Sequence, residues 1–194
     1  MANIGVRYAK WAPITAEPSA ALPQYGDVED LGALVSVNDT PNYNKVSQYG
    51  DDVAKNTVAG FRDCTLACEV TEMELPVAAK LLDATFTPGT SGAPGTAVFK
   101  DDDEPPYGGF GFIRSTYTDA DGYGYAGVYY PKVKAVPQGK TYTTKGETIS
   151  FSGDQFQLTA IRCNNGEWKE ESEPFETEAA AQAWVDNLVK KHTT

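Results

Sequence analysis

The chain has 194 residues, of which 41% are hydrophobic and 22% charged, and its formal net charge is −11. This length and composition predict one folded domain with a single core and exclude intrinsic disorder of the whole chain. The acidic balance, 27 Asp and Glu against 16 Lys and Arg, excludes the basic surface of a protein that wraps nucleic acid.

The first half of the chain predicts three strands and a short helix. Residues 3–14 alternate in the way of a half-buried strand, and residues 30–38 support a second strand. Pro76 opens the helix PVAAKLLDATF, with Val77, Leu81 and Ala84 inward. Residues 61–72 show the clearest alternation, with one apolar and one wet face. The apolar face holds Cys64, Leu66, Cys68 and Val70, and the wet face holds Asp63, Thr65, Ala67, Glu69 and Thr71.

The polar run 39–58 predicts a long loop, because turn signals such as Pro41-Asn42 begin it. Loops of this length that carry aromatic residues, here Tyr43 and Tyr49, are more often functional or interfacial than idle. The run includes the letters SQYGDD, whose last four spell the metal-binding turn of many RNA polymerases. Asp51 and Asp52 form only one carboxylate element, however, and two-metal phosphoryl transfer needs separated carboxylates and a cationic channel. We predict no polymerase activity.

The second half returns to β structure after a flexible Gly/Pro loop at residues 87–96. The segments GGFGFIRSTYT and YGYAGVYYPKVKAV flank an Asp-Gly turn and predict a hairpin. TYTTKGETISFSG and DQFQLTAIRCN predict further strands; the second sets Phe156, Leu158 and Ala160 against Gln155, Gln157 and Thr159. Residues 177–191 predict a C-terminal helix with an apolar stripe of Ala181, Trp184, Val185, Leu188 and Val189. The predicted fold is mainly β, with seven or eight strands and two short helices in one domain, residues 1–194.

Few side chains suggest catalysis. Three cysteines are too few for a disulfide framework, and Cys64 and Cys68 lie about 13 Å apart along one strand, so both read as buried small hydrophobes. The single histidine, His192, lies too near the end of the chain to be held beside a nucleophile. The acidic runs 100–104 and 119–122 lack the ligand spacing of a calcium loop. We therefore predict no enzyme, no cofactor and no metal site.

Two further patterns allow a structural and a binding interpretation. The glycines of Gly108-Gly109-Phe110-Gly111 fit a strand that neighbours approach closely. Tyr123, Tyr125, Tyr129 and Tyr130 either pack between sheets or form a stacking platform for sugars or bases.

Neither a signal peptide nor a membrane-length apolar run is visible, so we expect folding in a cytoplasm without membrane contact.

The order of the segments resembles the major tail proteins of long-tailed phages, the phi13-type family of tail tube proteins. The segments that carry the resemblance are IGVRYAKWAPI, VSVNDTPNYNKVSQYGDD, GFRDCTLACEVTEM, PPYGGFGFIRS, GVYYPKVKAVPQ, TKGETISFSGDQFQLTAI and EPFETEAAAQAWVDN. Together they span nearly the whole chain in order.

The resemblance implies a structural virion protein with a tail-tube β-sandwich or barrel-like domain. Six copies would form a ring whose inner strands join into one continuous barrel, and stacked rings would form the conduit for genome ejection. Implied partners are other copies of the chain, a tape measure protein, and tail terminator and initiator proteins, with genomic DNA passing through unbound. The tail would assemble in the host cytoplasm.

The resemblance also suggests roles for particular residues. We expect a wet, acidic bore lined by Asp63, Thr65, Glu69, Thr71, Gln155 and Gln157. We expect the loop 39–58, with Tyr43, Tyr49, Asp51 and Asp52, to reach a neighbouring subunit or ring. The loop 87–96 is a second candidate for contact between rings. The alternative function is a monomeric β-sandwich module that binds carbohydrate or acts in adhesion through the Tyr123–Tyr130 cluster.

Overall fold

A computed structural model describes residues 2–50, 53–119, 122–139 and 153–190. This part of the chain is mainly β with two short helices, which confirms the predicted secondary-structure class. The helices are α1 (Leu75–Leu81) and α2 (Glu178–Leu188). The strands are β1 (Ala2–Ala16), β2 (Gln24–Tyr25), β3 (Glu29–Asp30), β4 (Leu34–Gly50), β5 (Val53–Val70), β6 (Thr85–Thr87), β7 (Thr96–Val98), β8 (Tyr107–Thr118), β9 (Gly122–Val136), β10 (Asp154–Ala160) and β11 (Glu170–Glu171).

One antiparallel sheet contains most of these strands, in the order β2-β1-β8-β9-β10-β5-β4. β3 pairs with β1 and β11 with β9, while β6 and β7 form a separate small hairpin around residues 88–95 of the Gly/Pro loop. The sheet curls so far that β1 contacts β4 without pairing to it. The result is sandwich-like but is not a closed barrel.

The main core lies inside this curl. It is built from side chains of β1, β5, β8, β9 and β10 and is closed by α1; its large members include Trp11, Leu66, Leu81, Phe110, Tyr130 and Leu158. The predicted apolar face of residues 61–72 is buried, as are Phe156, Leu158 and Ala160 of β10. Alternation was a reliable signal in these two strands because one face of each packs on the core.

A second core lies on the other side of β1, β8 and β9, where α2 covers the sheet. The side chain of Thr177 caps this helix by accepting a hydrogen bond from the Ala180 amide at 3.3 Å. Ala181, Val185 and Val189 are fully buried, which confirms the predicted apolar stripe. The helix contacts only the β1–β8–β9 part of the sheet, and no described element packs on the outer face of the β10–β5–β4 part.

The glycine run at the start of β8 lets two aromatic side chains lie against the backbone. A Cβ at Gly108 would stand 2.3 Å from the indole nitrogen of Trp11, and one at Gly109 would stand 2.7 Å from the ring of Tyr25. Real Cβ atoms do not approach this closely, so both positions require glycine. The prediction of close backbone approach is confirmed.

The predicted loop at residues 39–58 was wrong as a description of local structure. Residues 39–50 continue β4 and residues 53–58 begin β5, so this run is part of one long antiparallel hairpin. Pro41 is tolerated because β4 pairs with β5 alone among the described strands, and an edge strand does not need every amide. The turn-forming residues of this exposed edge strand therefore led to the incorrect prediction of a loop. The predicted strand TYTTKGETISFSG falls mainly on residues 140–152, which lie outside the described part.

Candidate functional site: a polar sheet face and a projecting hairpin arm

The outer face of β9, β10, β5 and β4 carries polar side chains in cross-strand rows. One row runs across the four strands through the neighbouring pairs Thr40–Thr65, Thr65–Thr159 and Thr159–Lys134. The next row contains Asn38, Ala67, Gln157 and Val136. Ser36, Glu69 and Gln155 form a third row on three strands. We call these residues, together with Asn42 and Asp63, the polar face.

Five of the six residues predicted to line a bore lie on this one face. Asp63, Thr65 and Glu69 come from β5, and Gln155 and Gln157 come from β10 directly beside it. Thr71 is exposed just beyond the end of β5, where its amide donates to the Ala33 carbonyl at 2.8 Å. Ser36 and Asn38 fell within the predicted strand 30–38 but were not assigned to the bore, and Thr40 was missed because Asp39 and Pro41 on either side of it favoured a loop.

The polar face has little net charge. Most of its side chains are hydroxyls and amides, and its charged members are Asp63, Glu69 and Lys134. Lys134 pairs with Glu104 at 2.9 Å. Hydrogen bonds from Asn42 and Arg62, both at 2.6 Å, lower the pKa of Asp63 below its ordinary value. The described face is thus mainly neutral and polar, whereas the sequence predicted a wet, acidic one.

β4 forms one boundary of the polar face and is an edge strand in the described part of the chain. Its 17 residues pair on one side with β5, which leaves backbone donors and acceptors on the other side. Long edge strands are ready templates for pairing with another chain. The face can therefore be continued across β4 by a strand from another molecule.

The distal part of the β4–β5 hairpin, residues 43–50 and 53–61, projects beyond the end of β10; we call it the arm. β10 reaches only as far as the pair Ala160–Cys64, so no third strand supports the arm among the described residues. At the rise of a β-strand, eight residues extend about 26 Å. Val46 and Val58 pair across the arm and are each 71% exposed. A two-stranded ribbon with exposed valines is marginally stable on its own.

Aromatic packing and an ion pair hold the base of the arm. The ring of Tyr43 meets that of Phe61 edge-on at 5.9 Å, and Phe61 stacks on Trp168 at 4.4 Å. Close by, Asp39 accepts a hydrogen bond from the Tyr130 hydroxyl at 2.9 Å and pairs with Lys169 at 2.7 Å. The net effect is a pKa of Asp39 below its ordinary value. Burial of the carboxylate acts to raise this pKa, but the bonds from Lys169 and Tyr130 lower it by more.

Of the residues predicted to contact a neighbour, Tyr43 lies at the base of the arm and is 50% exposed. The backbone of Tyr49 pairs with Ala54 near the tip. Asp51 and Asp52 lie outside the described residues. No signal in the sequence pointed to the exposed Val46–Val58 pair or to the stacking of Phe61 on Trp168, since the latter joins segments that are far apart in the chain.

The tyrosine cluster does not form a single platform. Tyr129 and Tyr130 are fully buried, in the second and the main core respectively, and Tyr125 is half-buried. Tyr123 alone of the four is widely exposed, at 69%, and its ring meets that of Tyr117 edge-on at 5.2 Å. A shallow groove of about 180 Å³ lies beside this pair, between the β8–β9 hairpin and Pro174–Glu176.

The three cysteines are buried and unbridged. Burial raises the pKa of Cys64 to about 11 and that of Cys68 to about 12, so both are unreactive thiols at neutral pH. Within the described ranges, no group of three His, Cys, Asp or Glu side chains is arranged to hold a metal ion. No helix in the described part is long and apolar enough to span a membrane.

Comparison of the chain with models of known protein families gives no match, and comparison with curated protein sequences gives none either. The polar face, the open β4 edge and the arm therefore carry the functional argument by themselves.

Proposed function

We propose that the chain is a structural subunit of a phage tail tube. Six copies would form a ring, and stacked rings would form the conduit through which the genome leaves the virion. Tape measure, terminator and initiator proteins would bind the assembled tube, and DNA would pass through without specific binding. The observation that carries the proposal is the polar four-stranded face bounded by the open edge of β4.

The polar face is suited to line a bore. It faces solvent in the described monomer, it alternates with the buried core face on β5 and β10, and most of its side chains are hydroxyls and amides. A mainly neutral lining with few free cations gives passing phosphates little to bind. Low adhesion would then come from the scarcity of unpaired positive charge rather than from strong repulsion.

The open edge of β4 supports closure into a ring. Among the described strands β4 is an edge of 17 residues, and an edge of this length invites uncontrolled pairing unless it is covered or paired. Pairing of each β4 with a strand of the next copy would remove all such edges at once, as closure does in any β-barrel. The curled sheet, which is open in a single chain, would become closed in the assembly.

The arm supports contact with a neighbouring subunit or ring. Both of its described sides are largely exposed, and Val46 and Val58 are each 71% exposed. An isolated ribbon of this kind gains most by packing on another molecule.

Imaging of the purified protein by negative stain over a range of concentrations tests the proposal, together with a variant that lacks residues 45–59. This deletion joins Asn44 directly to Gly60, and Asn-Gly is the preferred two-residue turn for the remaining Tyr43–Phe61 pair. We expect rings or tubes from the natural chain and a folded monomer from the shortened one. Natural protein that stays monomeric at all concentrations overturns the tube, whereas tubes from the shortened chain overturn only the role of the arm.

Cysteine labelling tests whether the polar face lines the bore. Thr65→Cys places a thiol on the polar face, and Ala183→Cys places one on the exposed side of α2 as a control. In assembled tubes we expect a small maleimide to label both, but a polymer-linked maleimide to label only the cysteine on α2. Equal labelling of both positions by the large reagent would exclude a bore at this face.

A second candidate function, carbohydrate binding, is favoured by one observation. The exposed Tyr117–Tyr123 pair borders a groove with the polar side chains of Thr118 and Glu176. Exposed aromatic rings beside polar groups suit the mixed surface of a sugar. A strictly monomeric chain in a sizing experiment, with glycan binding that is lost in Tyr123→Ala, would support this function over the tube.

A further inference from the structure

We infer that residues 162–171, between β10 and the end of β11, act as a strut that sets the direction of the arm and so controls its contact with a second copy of the chain. This inference rests on the proposed function, because the direction of the arm affects assembly only if the arm contacts another copy of the chain. Trp168 and Lys169 are the positioning residues. The argument depends on a flexible point at the base of the arm, on a rigid connection beside it, and on the length of the arm.

The flexible point is a bulge at the base of the arm. The register of the β4–β5 hairpin shifts between Asn42 and Tyr43, so that Arg62 stands without a direct partner between the pairs on either side. Bulges bend and twist the strand that carries them. The β10 support ends two residues away, at the pair Ala160–Cys64. The hairpin is therefore free to change direction just where its third strand stops.

The strut is itself bonded to the sheet and to Glu17, which follows β1. Its turn is closed by a hydrogen bond from the Cys163 amide to the Glu167 carbonyl at 2.8 Å. The Asn164 amide donates to the Glu17 carboxylate at 2.8 Å, and the same carboxylate pairs with Lys132 at 2.6 Å. The far end of the strut pairs with β9 through Glu170 and Glu171. Both ends of the segment are thus tied to the sheet.

From this fixed segment, two neighbouring side chains reach the hairpin on the two sides of the bulge. Trp168 contacts the arm itself, and Lys169 contacts β4 at Asp39, whose partner Leu66 lies in the part supported by β10. The indole of Trp168 stacks on Phe61 of β5 at 4.4 Å with an interplanar angle of 21°. Lys169 pairs with Asp39 of β4 at 2.7 Å and with Glu171 of the strut itself at 2.6 Å. One contact is apolar and one is charged, and together they hold both strands against the same support.

The length of the arm makes these contacts important. At a strand rise of about 3.3 Å per residue the arm extends roughly 26 Å, so a tilt of about 10° at the bulge would move its tip by about 4–5 Å. Apolar atoms lose contact beyond about 4.5 Å. A small loosening at Phe61 would therefore disengage the Val46–Val58 pair from any surface that it fits.

Hydrogen exchange and assembly measured on the same variants test the strut. In Trp168→Ala we expect amides of residues 43–46 and 58–61 in the monomer to exchange at least tenfold faster, and the protein concentration needed for tubes to rise about tenfold. Trp168→Phe should restore both values, because a phenyl ring also stacks on Phe61. Lys169→Gln, which removes the ion pair and leaves the stack, should give a smaller change in the same direction.

Trp184→Ala is the matched control, because Trp184 is also a half-buried tryptophan but packs in the second core with α2. It should lower thermal stability and leave exchange in the arm unchanged. Equal arm exchange in Trp168→Ala and Trp184→Ala overturns the strut. If the natural chain forms no tubes, the tube proposal fails, and the exchange measurement still decides whether the strut orders the arm.

Discussion

The exposed Val46–Val58 pair gives a quantitative test of the role of the arm. Full burial of a valine side chain contributes about 1.5–3 kcal/mol, and each of these residues is 71% exposed in the monomer, so burial in an assembly would contribute about 1–2 kcal/mol per valine. Threonine has a similar shape and a similar preference for strands, but its hydroxyl opposes burial. We expect the double variant Val46→Thr, Val58→Thr to lose about 2 kcal/mol of association free energy per arm, which is roughly a 30-fold rise in the concentration needed for assembly.

Light scattering over a concentration series measures this threshold, and calorimetry measures the melting temperature of the monomer. The melting temperature should hardly change, because both side chains are already exposed. Val28→Thr is a suitable control, since Val28 is 40% exposed and lies outside both β4 and the arm. If the double variant assembles at the concentration of the natural chain, the valines are not buried in the tube and the arm does not act through them.

Three further predictions concern the folded chain. At pH 8 a maleimide should leave Cys64 and Cys68 unmodified in the native protein and label both in denaturant, because burial raises their pKa values to about 11 and 12. Thr177→Ala should lower the free energy of unfolding by about 1 kcal/mol in a denaturant titration through loss of the helix cap, while Thr177→Ser should retain it. The lowered pKa of Asp39 means that its stabilising effect is complete above the unfolded value of about 3.9 and is lost as the pH falls below it. Exchange around the Asp39–Leu66 pair of the hairpin should therefore accelerate below about pH 4, and Asp39→Asn should flatten that dependence.

The sequence predicted correctly those elements in which one face packs on the core. The strand at 61–72, the strand that became β10 and the helix α2 all have a repeating apolar pattern because burial acts on every second residue or every third to fourth residue. The same pattern placed five of the six expected bore residues on one face.

The secondary-structure prediction was wrong for a segment that does not pack on the core. Residues 39–58 belong to an edge strand and an exposed arm, so their side chains have no burial pattern and their turn-forming residues predicted a loop. The sequence left the role of the tyrosines at positions 123–130 open between packing and a stacking platform. Both faces of β9 are covered around Tyr129 and Tyr130, so residues of either parity are buried there and no alternation marks them as core.

By itself, the sequence determined that the chain is mainly β, that two helices flank the strands, and that one strand face is wet. Only the tertiary structure decided that the polar face is nearly neutral, that β4 is an open edge, and that Trp168 and Lys169 hold the base of a projecting arm. The alternation of apolar and polar residues is a local property, because burial of one strand face selects apolar side chains at every second position. Contacts such as that of Phe61 with Trp168 join residues more than a hundred positions apart, and they form only because β5 pairs with β10 and so lies beside the segment that follows it.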